Sequence, residues 1–211
     1  MTPRASPARK APDTYHHGDL REALIEAALD ALERGGAGAV GFSALSRTLG
    51  VSQAAPYRHF ADRDDLLTAV ATRGFTASMA WLQAAADVED GRSRLARIGH
   101  AYLAFGLEHA ELYRLMYASR LLPRAAVDSD LFIAADAGFD VVLEAIDPSL
   151  EDLIRRRFAL KFWTSLHGVA TLAEQGLLPP KVRQISVAEL IDELVHDTEL
   201  AIATAAGRSR T

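Results

Sequence analysis

Residues 42–60, FSALSRTLGVSQAAPYRHF, carry side chains whose types and spacing suit recognition of nucleic acid. Leu45 and Leu49 lie on one face of a short amphipathic helix. Gly50 then permits a turn with positive φ, and Ser52 is placed to cap a second helix. This is the layout of a helix-turn-helix, whose second helix enters the major groove of DNA.

The exposed face of that second helix would present four side chains, which are Gln53, Ala54, Tyr57 and Arg58. Glutamine bonds adenine edges and arginine bonds guanine edges in bidentate fashion, while an alanine contacts the thymine methyl group. Ser43 and His59 are placed to reach phosphates. An ordinary helical hairpin with a polar surface is the alternative, and the spacing alone leaves both interpretations open.

The elements that must position these residues are all helical. Apolar residues recur with the helical period along most of the chain, and no sustained alternation indicates a strand. Asp147-Pro148 and Ser186 with Glu189 resemble helix starts. We therefore predict an all-α fold of about nine helices, near residues 20–35, 43–50, 53–60, 63–86, 92–108, 110–119, 129–146, 148–175 and 186–206.

Charge is distributed unevenly along the 211 residues, whose net charge is −5. Residues 1–60 contain 7 Lys and Arg against 6 Asp and Glu, whereas residues 61–211 contain 16 against 22. This asymmetry indicates a division of labour between the two parts. The Pro- and Arg-containing residues 1–14 are expected to form a disordered arm, in which Arg4, Arg9 and Lys10 either contact DNA or have no role.

Several other classes of function lack support in the sequence. The absence of cysteine excludes disulfides and thiolate metal sites, and no apolar run suits a membrane span or signal peptide, so we expect a soluble cytoplasmic protein. Gly36–Gly41 fits G-x-G-x-x-G but follows a helix, which argues against nucleotide binding. His16 and His17 with Asp19 form no convincing metal site. We expect no enzyme activity, cofactor or metal.

The resemblance of two stretches to a known protein family decides between a helix-turn-helix and an ordinary helical hairpin. YHHGDLREALIEAALDALERGG and FSALSRTLGVSQAAPYRHFADRDDLL resemble, without a gap over about residues 15–67, the N-terminal domain of the TetR family of transcriptional regulators. HAELYRLMYA agrees, and WTSLHG is similar to the Trp-His-Gly signature of one C-terminal subgroup. The resemblance implies a helix-turn-helix DNA-binding domain at 15–62, with its motif at about 41–60, and a ligand-sensing and dimerisation domain at 63–211.

The resemblance also assigns roles to individual residues. Tyr57 and His59 match a Tyr-x-His-Phe element that contacts the DNA backbone, Ser43 matches a helix-capping residue beside a phosphate, and Arg63 matches a basic phosphate contact. The departures are Arg58, where many members have an aromatic residue, and Pro56 inside the recognition helix. The predicted DNA-binding set is Ser43, Arg47, Ser52, Gln53, Ala54, Tyr57, Arg58, His59 and Arg63.

The last two helices carry long apolar stripes, which periodicity assigns equally well to a protomer core or to half of an intersubunit four-helix bundle. The resemblance favours the bundle and a homodimer that binds a near-palindromic operator with half-sites about 34–36 Å apart. The predicted interface residues are Phe158, Phe162, Leu166, Leu190, Leu194 and Ile202.

A small-molecule pocket in the C-terminal domain is implied by the same resemblance. Its candidates are apolar and aromatic residues at helical spacing, for each of which core packing is the alternative: Trp81, Tyr102, Phe105, Tyr113, Met116, Tyr117, Phe132, Phe139, Phe162, Trp163 and His167. We predict a DNA-binding repressor that responds to a small hydrophobic effector. The alternative is a helical small-molecule-binding protein without operator-specific DNA binding.

Overall fold

The computed structural model describes residues 17–182 and 184–208, and all regular elements in these ranges are helical. Eight α-helices are present: α1 (His17–Gly35), α2 (Phe42–Leu49), α3 (Arg63–Ala86), α4 (Arg94–Glu108), α5 (Ala110–Tyr117), α6 (Asp130–Glu144), α7 (Asp152–Glu174) and α8 (Val187–Arg208). Short 3₁₀ turns cover Ala37–Ala39, Pro56–Arg58, Leu122–Arg124 and Pro180–Val182. The all-α prediction is confirmed, with one helix fewer than expected. The predicted arm at 1–14 lies outside the described residues.

The missing helix is the one predicted at 53–60. Only a 3₁₀ turn, Pro56–Arg58, forms there. Pro56 has no backbone N–H, so the bond to the Ser52 carbonyl that an α-helix needs cannot form. Instead the Ala55 amide donates to the Ser52 carbonyl at 3.0 Å and the Arg58 amide donates to the Ala55 carbonyl at 3.2 Å. Hydrogen bonds between residues three apart therefore predominate in this segment, and one α-helical bond, from the Phe60 amide to the Pro56 carbonyl at 3.0 Å, ends it.

Local capping residues set most of the other helix boundaries. Asp62 caps α3 by accepting a hydrogen bond from the Asp65 amide at 2.9 Å, and Ser186 accepts one from the Glu189 amide at 3.4 Å. The predicted start at Asp147 is wrong, because its carboxylate accepts from the Ser149 amide in a turn and α7 begins four residues later than Pro148.

The central helix α3 packs against α1, α4, α5 and α6, and α7 packs against α4, α6 and α8. The buried apolar side chains form one continuous core that extends from Leu24 and Phe60 at one end to Val195 and Ile202 at the other. No helix within the described ranges is long and apolar enough to cross a membrane.

Three of the six predicted dimer contacts belong to this core. Phe162 and Leu166 are 0% and 1% exposed, so they pack inside their own protomer rather than against a second one as predicted, whereas Ile202 is 9% exposed and its predicted contact stays a prediction. The reason is a close approach of α4 to α7 and α8. A Cβ on Gly99 would lie 2.9 Å from Cγ2 of Ile191, so only glycine leaves room there. Phe158, Leu190 and Leu194 are half-buried.

Candidate nucleic-acid interface and ligand cavity

Residues 17–62, which we call the head, are held in shape by the turn after α2. Gly50 has φ of 66°, and its amide donates to the Arg47 carbonyl at 3.4 Å. The Val51 amide donates to the Ser46 carbonyl at 3.0 Å. These two bonds form a Schellman motif, which requires a left-handed residue at position 50 and therefore favours glycine.

Seven of the nine predicted DNA-binding residues are exposed on the head and form what we call the basic surface: Ser43, Arg47, Ser52, Gln53, Ala54, Tyr57 and Arg58. The ring of Tyr57 is 63% exposed and meets Phe42 edge-on at 4.8 Å, which fixes the 3₁₀ turn against α2. No Asp or Glu occurs between Glu33 and Asp62. The arginines on this surface therefore have no acidic neighbours from their own stretch of chain.

The two predicted capping serines do not cap. Gly41 is the N-cap of α2, with no side-chain hydrogen bond, and Ser43 is the second helical residue. Ser52 precedes no α-helix. Their hydroxyl groups are exposed. Both serines can therefore offer hydroxyl groups to a phosphate, although capping is not their role.

Arg63 has a structural partner that sequence reasoning missed. Its Nε donates to the Val40 carbonyl at 2.7 Å and its Nη2 donates to the Ala37 carbonyl. Arg63 thus ties the start of α3 to the turn between α1 and α2. His59 is half-buried, and its Nε2 is enclosed without a hydrogen-bond partner among residues 17–182 and 184–208. The phosphate contacts predicted for Arg63 and His59 remain predictions.

Ion pairs join the head to the other helices, α3–α8, which we call the body. Arg73 of α3 donates to Glu22 and, at 2.7 Å, to Glu26 of α1. His109 lies 3.3 Å from Glu33 between Nδ1 and Oε1. Helix α1 is therefore anchored to the body by α3 on one side and by the start of α5 on the other.

A buried polar network lies in the body around His167. Its Nδ1 lies within hydrogen-bonding distance of the Tyr113 hydroxyl, at 2.8 Å, and of the Tyr102 hydroxyl, at 3.0 Å. The imidazole stacks on Trp163 with ring centroids 5.6 Å apart and 10° between planes, and Tyr117 meets it at 4.6 Å. Five predicted pocket residues thus form one cluster.

Burial controls the protonation of this network. It raises the pKa of Tyr102 and Tyr113 above the ordinary range and raises the pKa of Tyr117 to about 12. Burial also lowers the pKa of His167. The tyrosines therefore keep their protons, and one of the two hydroxyl groups can donate to the single lone pair of Nδ1 when a neutral His167 carries its hydrogen on Nε2.

The other predicted pocket residues lie in different parts of the body. Phe139 lies 6.4 Å from Trp163 and extends the cluster. Trp81 forms a separate aromatic group with Phe105 and His109, whose ring centroids lie 6.0 Å and 5.9 Å, respectively, from the centroid of the Trp81 ring. Met116 is 1% exposed and packs beside Gly74 in the core, so it does not line the pocket as predicted.

Two spaces adjoin the cluster. The outer cleft, of about 390 Å³, has largely apolar walls formed by Tyr117, Leu122, Phe132, Ala135, Asp136, Phe139, Leu160 and Trp163. The inner cavity, of about 60 Å³, is lined by Tyr113, Arg114, Tyr117, Ala118, His167, Thr171, Glu174 and Gln175. Tyr117 borders both spaces. Sequence reasoning missed Leu122, Asp136, Leu160, Thr171 and Glu174, although Trp163, His167, Thr171 and Glu174 form one helical stripe on α7.

A larger groove, of about 580 Å³, lies between α1, α3 and residues 121–131. Arg, Asp, Glu and Thr side chains line most of it, so it lacks the apolar walls typical of a ligand pocket. Within the described part of the chain, His, Asp and Glu side chains form no group of three or more that could hold a metal ion.

Comparison with known protein families gives two matches. Residues 24–70 match the model described as bacterial regulatory proteins, tetR family. Residues 95–198 match the model described as the tetracyclin repressor-like C-terminal domain. None of the curated proteins matches this chain. The first match covers the basic surface, and the second covers the cluster around His167 and most of α8.

Solved structures with the same fold include one close in sequence. A protein of unknown function from Rhodococcus sp. RHA1 is 33% identical, with 92% of this chain and 100% of that chain covered and a TM-score of 0.71. A tetR-family transcriptional regulator from Streptomyces coelicolor is 22% identical, with 90% of this chain and 83% of that chain covered and a TM-score of 0.60. A TetR variant from Acinetobacter baumannii AYE, in complex with minocycline, is 17% identical, with 91% and 98% covered and a TM-score of 0.55.

Proposed function

The chain belongs to the TetR family of bacterial DNA-binding transcriptional regulators, and we propose that it is a homodimeric repressor that a small molecule releases from a palindromic operator. The basic surface of the head carries this proposal. TetR-family regulators generally act without catalysis, and the proposal assigns this chain no reaction.

We assign the reading of base edges to Gln53, Ala54 and Arg58. All three are exposed, and their side chains suit adenine, the thymine methyl group and guanine respectively. Ser43, Arg47, Ser52, Tyr57 and His59 are assigned to the phosphate backbone, where contacts fix the register without reading sequence. Because Pro56–Arg58 form a 3₁₀ turn that Tyr57 holds against Phe42, Arg58 is presented on a short turn and Gln53 and Ala54 on the residues before it.

Homodimerisation is proposed through the outer faces of α7 and α8. Leu172 and Leu200 are 42% and 60% exposed on these helices, and the half-buried Phe158, Leu190 and Leu194 lie on the same two helices. Packing two such pairs forms a four-helix bundle, which buries apolar area that one protomer leaves exposed. A two-fold axis through the bundle gives two basic surfaces, as a palindromic operator requires.

The outer cleft is proposed to bind the effector. Its volume of about 390 Å³ and its aromatic walls suit a small apolar molecule. A protein of the same fold, the TetR variant from Acinetobacter baumannii AYE, is in complex with minocycline. An effector that lies on Tyr117 and Trp163 would contact α5 and α7, two of the helices that fix the arrangement of the body.

An electrophoretic shift with the DNA upstream of the protein's own gene tests the proposal. The wild type is expected to bind one palindromic site, with log K falling by about 0.9 per log unit of salt for each phosphate neutralised. The double variant Tyr57→Ala, Arg58→Ala should lose at least about tenfold in affinity, since each contact is worth on the order of 1 kcal/mol or more.

The matched control is Arg124→Ala, which removes one exposed positive charge from the body rather than the head. It should bind the operator as the wild type does. Equal and weak binding of the wild type to all sequences would contradict the proposal.

A further inference from the structure

Glu174, near the end of α7, has a buried carboxylate with one oxygen unused. Its side chain is 1% exposed, and Oε1 accepts a hydrogen bond from Arg114 Nε at 2.5 Å. Oε2 is enclosed by protein and has no hydrogen-bond partner in the described ranges. Glu174 lines the inner cavity. A buried carboxylate oxygen without a donor is costly, so this position favours a ligand that supplies one.

The charges around the inner cavity do not balance. Arg114 also pairs with Glu111, so two carboxylates share one guanidinium group. His167 lies two helical turns before Glu174 on the same stripe of α7, and burial lowers its pKa, which favours its neutral form. Because Arg114 is shared with Glu111, it compensates the Glu174 carboxylate only in part, which favours a cationic donor at Oε2.

The size of the inner cavity restricts the group that fits. Its volume of about 60 Å³ holds an ammonium group or a few waters and is too small for a ring. The outer cleft has room for the rest of a ligand, and Tyr117 separates the two spaces. Trp163 and Glu174 are eleven residues apart on α7, which corresponds to about 16 Å along the helix.

We propose that the effector is an amphipathic amine, whose apolar body lies on Trp163 in the outer cleft and whose protonated nitrogen donates a hydrogen bond to Glu174 Oε2 in the inner cavity. This inference rests on the proposed function, because it takes the outer cleft as the effector site. Tyr117 must turn aside for the chain of the ligand to pass between the two spaces. The required ligand has an aromatic or aliphatic body joined to a terminal amine by a flexible chain.

The test compares phenylalkylamines that have four, six or eight methylene groups with the matching phenylalkanols. Binding is followed by tryptophan emission in Trp81→Phe protein, so that Trp163 is the reporter. The best amine should bind about 10- to 100-fold tighter than its alcohol, because the bond to Glu174 is charge-assisted and buried. Glu174→Gln keeps the side-chain size and should remove this preference.

Two further variants make the result specific. Glu108→Gln removes an exposed charge on α4 outside both spaces and should retain the preference. Asp136→Asn tests the carboxylate in the outer cleft. Loss of the preference in Asp136→Asn but not in Glu174→Gln overturns the proposal. Equal binding of amines and alcohols to the wild type, as expected if water satisfies Oε2, or no binding of any amine, overturns it as well.

Operator shifts measured on the same proteins separate this inference from the proposed function. Operator binding without an amine preference contradicts only the inference. Amine binding that depends on Glu174, in a protein that binds no operator, contradicts only the proposed function. Because Glu174→Gln removes the charged partner of Arg114, its folding is checked by circular dichroism, independently of operator binding.

Discussion

The substitution Arg63→Gln separates a structural role from a DNA contact at one residue. It removes two hydrogen bonds from a charged donor to the backbone carbonyls of Val40 and Ala37. Such bonds contribute about 1.5–3 kcal/mol when buried, and for the exposed Arg63 we take about 1 kcal/mol each. The total of about 2 kcal/mol corresponds to a fall in Tm of about 4–8 °C for a chain of this length.

Thermal unfolding followed by circular dichroism measures this effect, and the salt dependence of the operator shift measures the DNA contact. The matched control is Arg58→Gln, since Arg58 is exposed and has no side-chain partner in the described residues. It should leave Tm unchanged and weaken operator binding by about 1–3 kcal/mol. If Arg63→Gln leaves Tm unchanged and only lowers the salt slope by about 0.9, Arg63 does not tie α3 to the α1–α2 turn.

The remaining predictions concern the dimer and the His167 network. Leu200→Glu should convert the dimer to monomers in analytical sedimentation, because it would bury a charge at the interface. The control Leu107→Glu, on α4, should remain dimeric. A dimeric Leu200→Glu protein would contradict the proposed interface. Because burial lowers the pKa of His167, its contribution to stability is complete above about pH 6.5 and is lost as pH falls toward the lower folded value. Urea unfolding at pH 7.5 and 5.5 should show a smaller loss for His167→Gln than for the wild type, and an equal loss refutes this assignment.

Sequence patterns predicted the features of this fold that depend on neighbours along the chain. The left-handed turn at Gly50 and the cap at Ser186 follow from residue types within a few positions, and both are present. The wrongly predicted helix at 53–60 also has a local cause. Pro56 lacks a backbone N–H, and this one missing donor changes the conformation of the whole segment.

Features that depend on distant contacts could not be predicted. An apolar stripe on α7 shows that Phe162 is covered, but only the approach of α4 at Gly99 decides that its own protomer covers it. The role of Arg63 depends on carbonyls 23 and 26 residues away. The burial of Glu174 likewise depends on Arg114, sixty residues earlier in the chain.

Helix α5 connects the inner cavity to the head, which gives effector binding a physical route to the DNA-binding surface. An amine on Glu174 would compete with Arg114 for that carboxylate, and Arg114 would then pair with Glu111 on its own helix. The link between α5 and α7 would weaken. Helix α5 contacts α1, and His109 at its N-cap pairs with Glu33 of the head. The ligand would therefore bind more tightly to the state in which α5 has moved, and that difference in affinity is what allows it to shift the head.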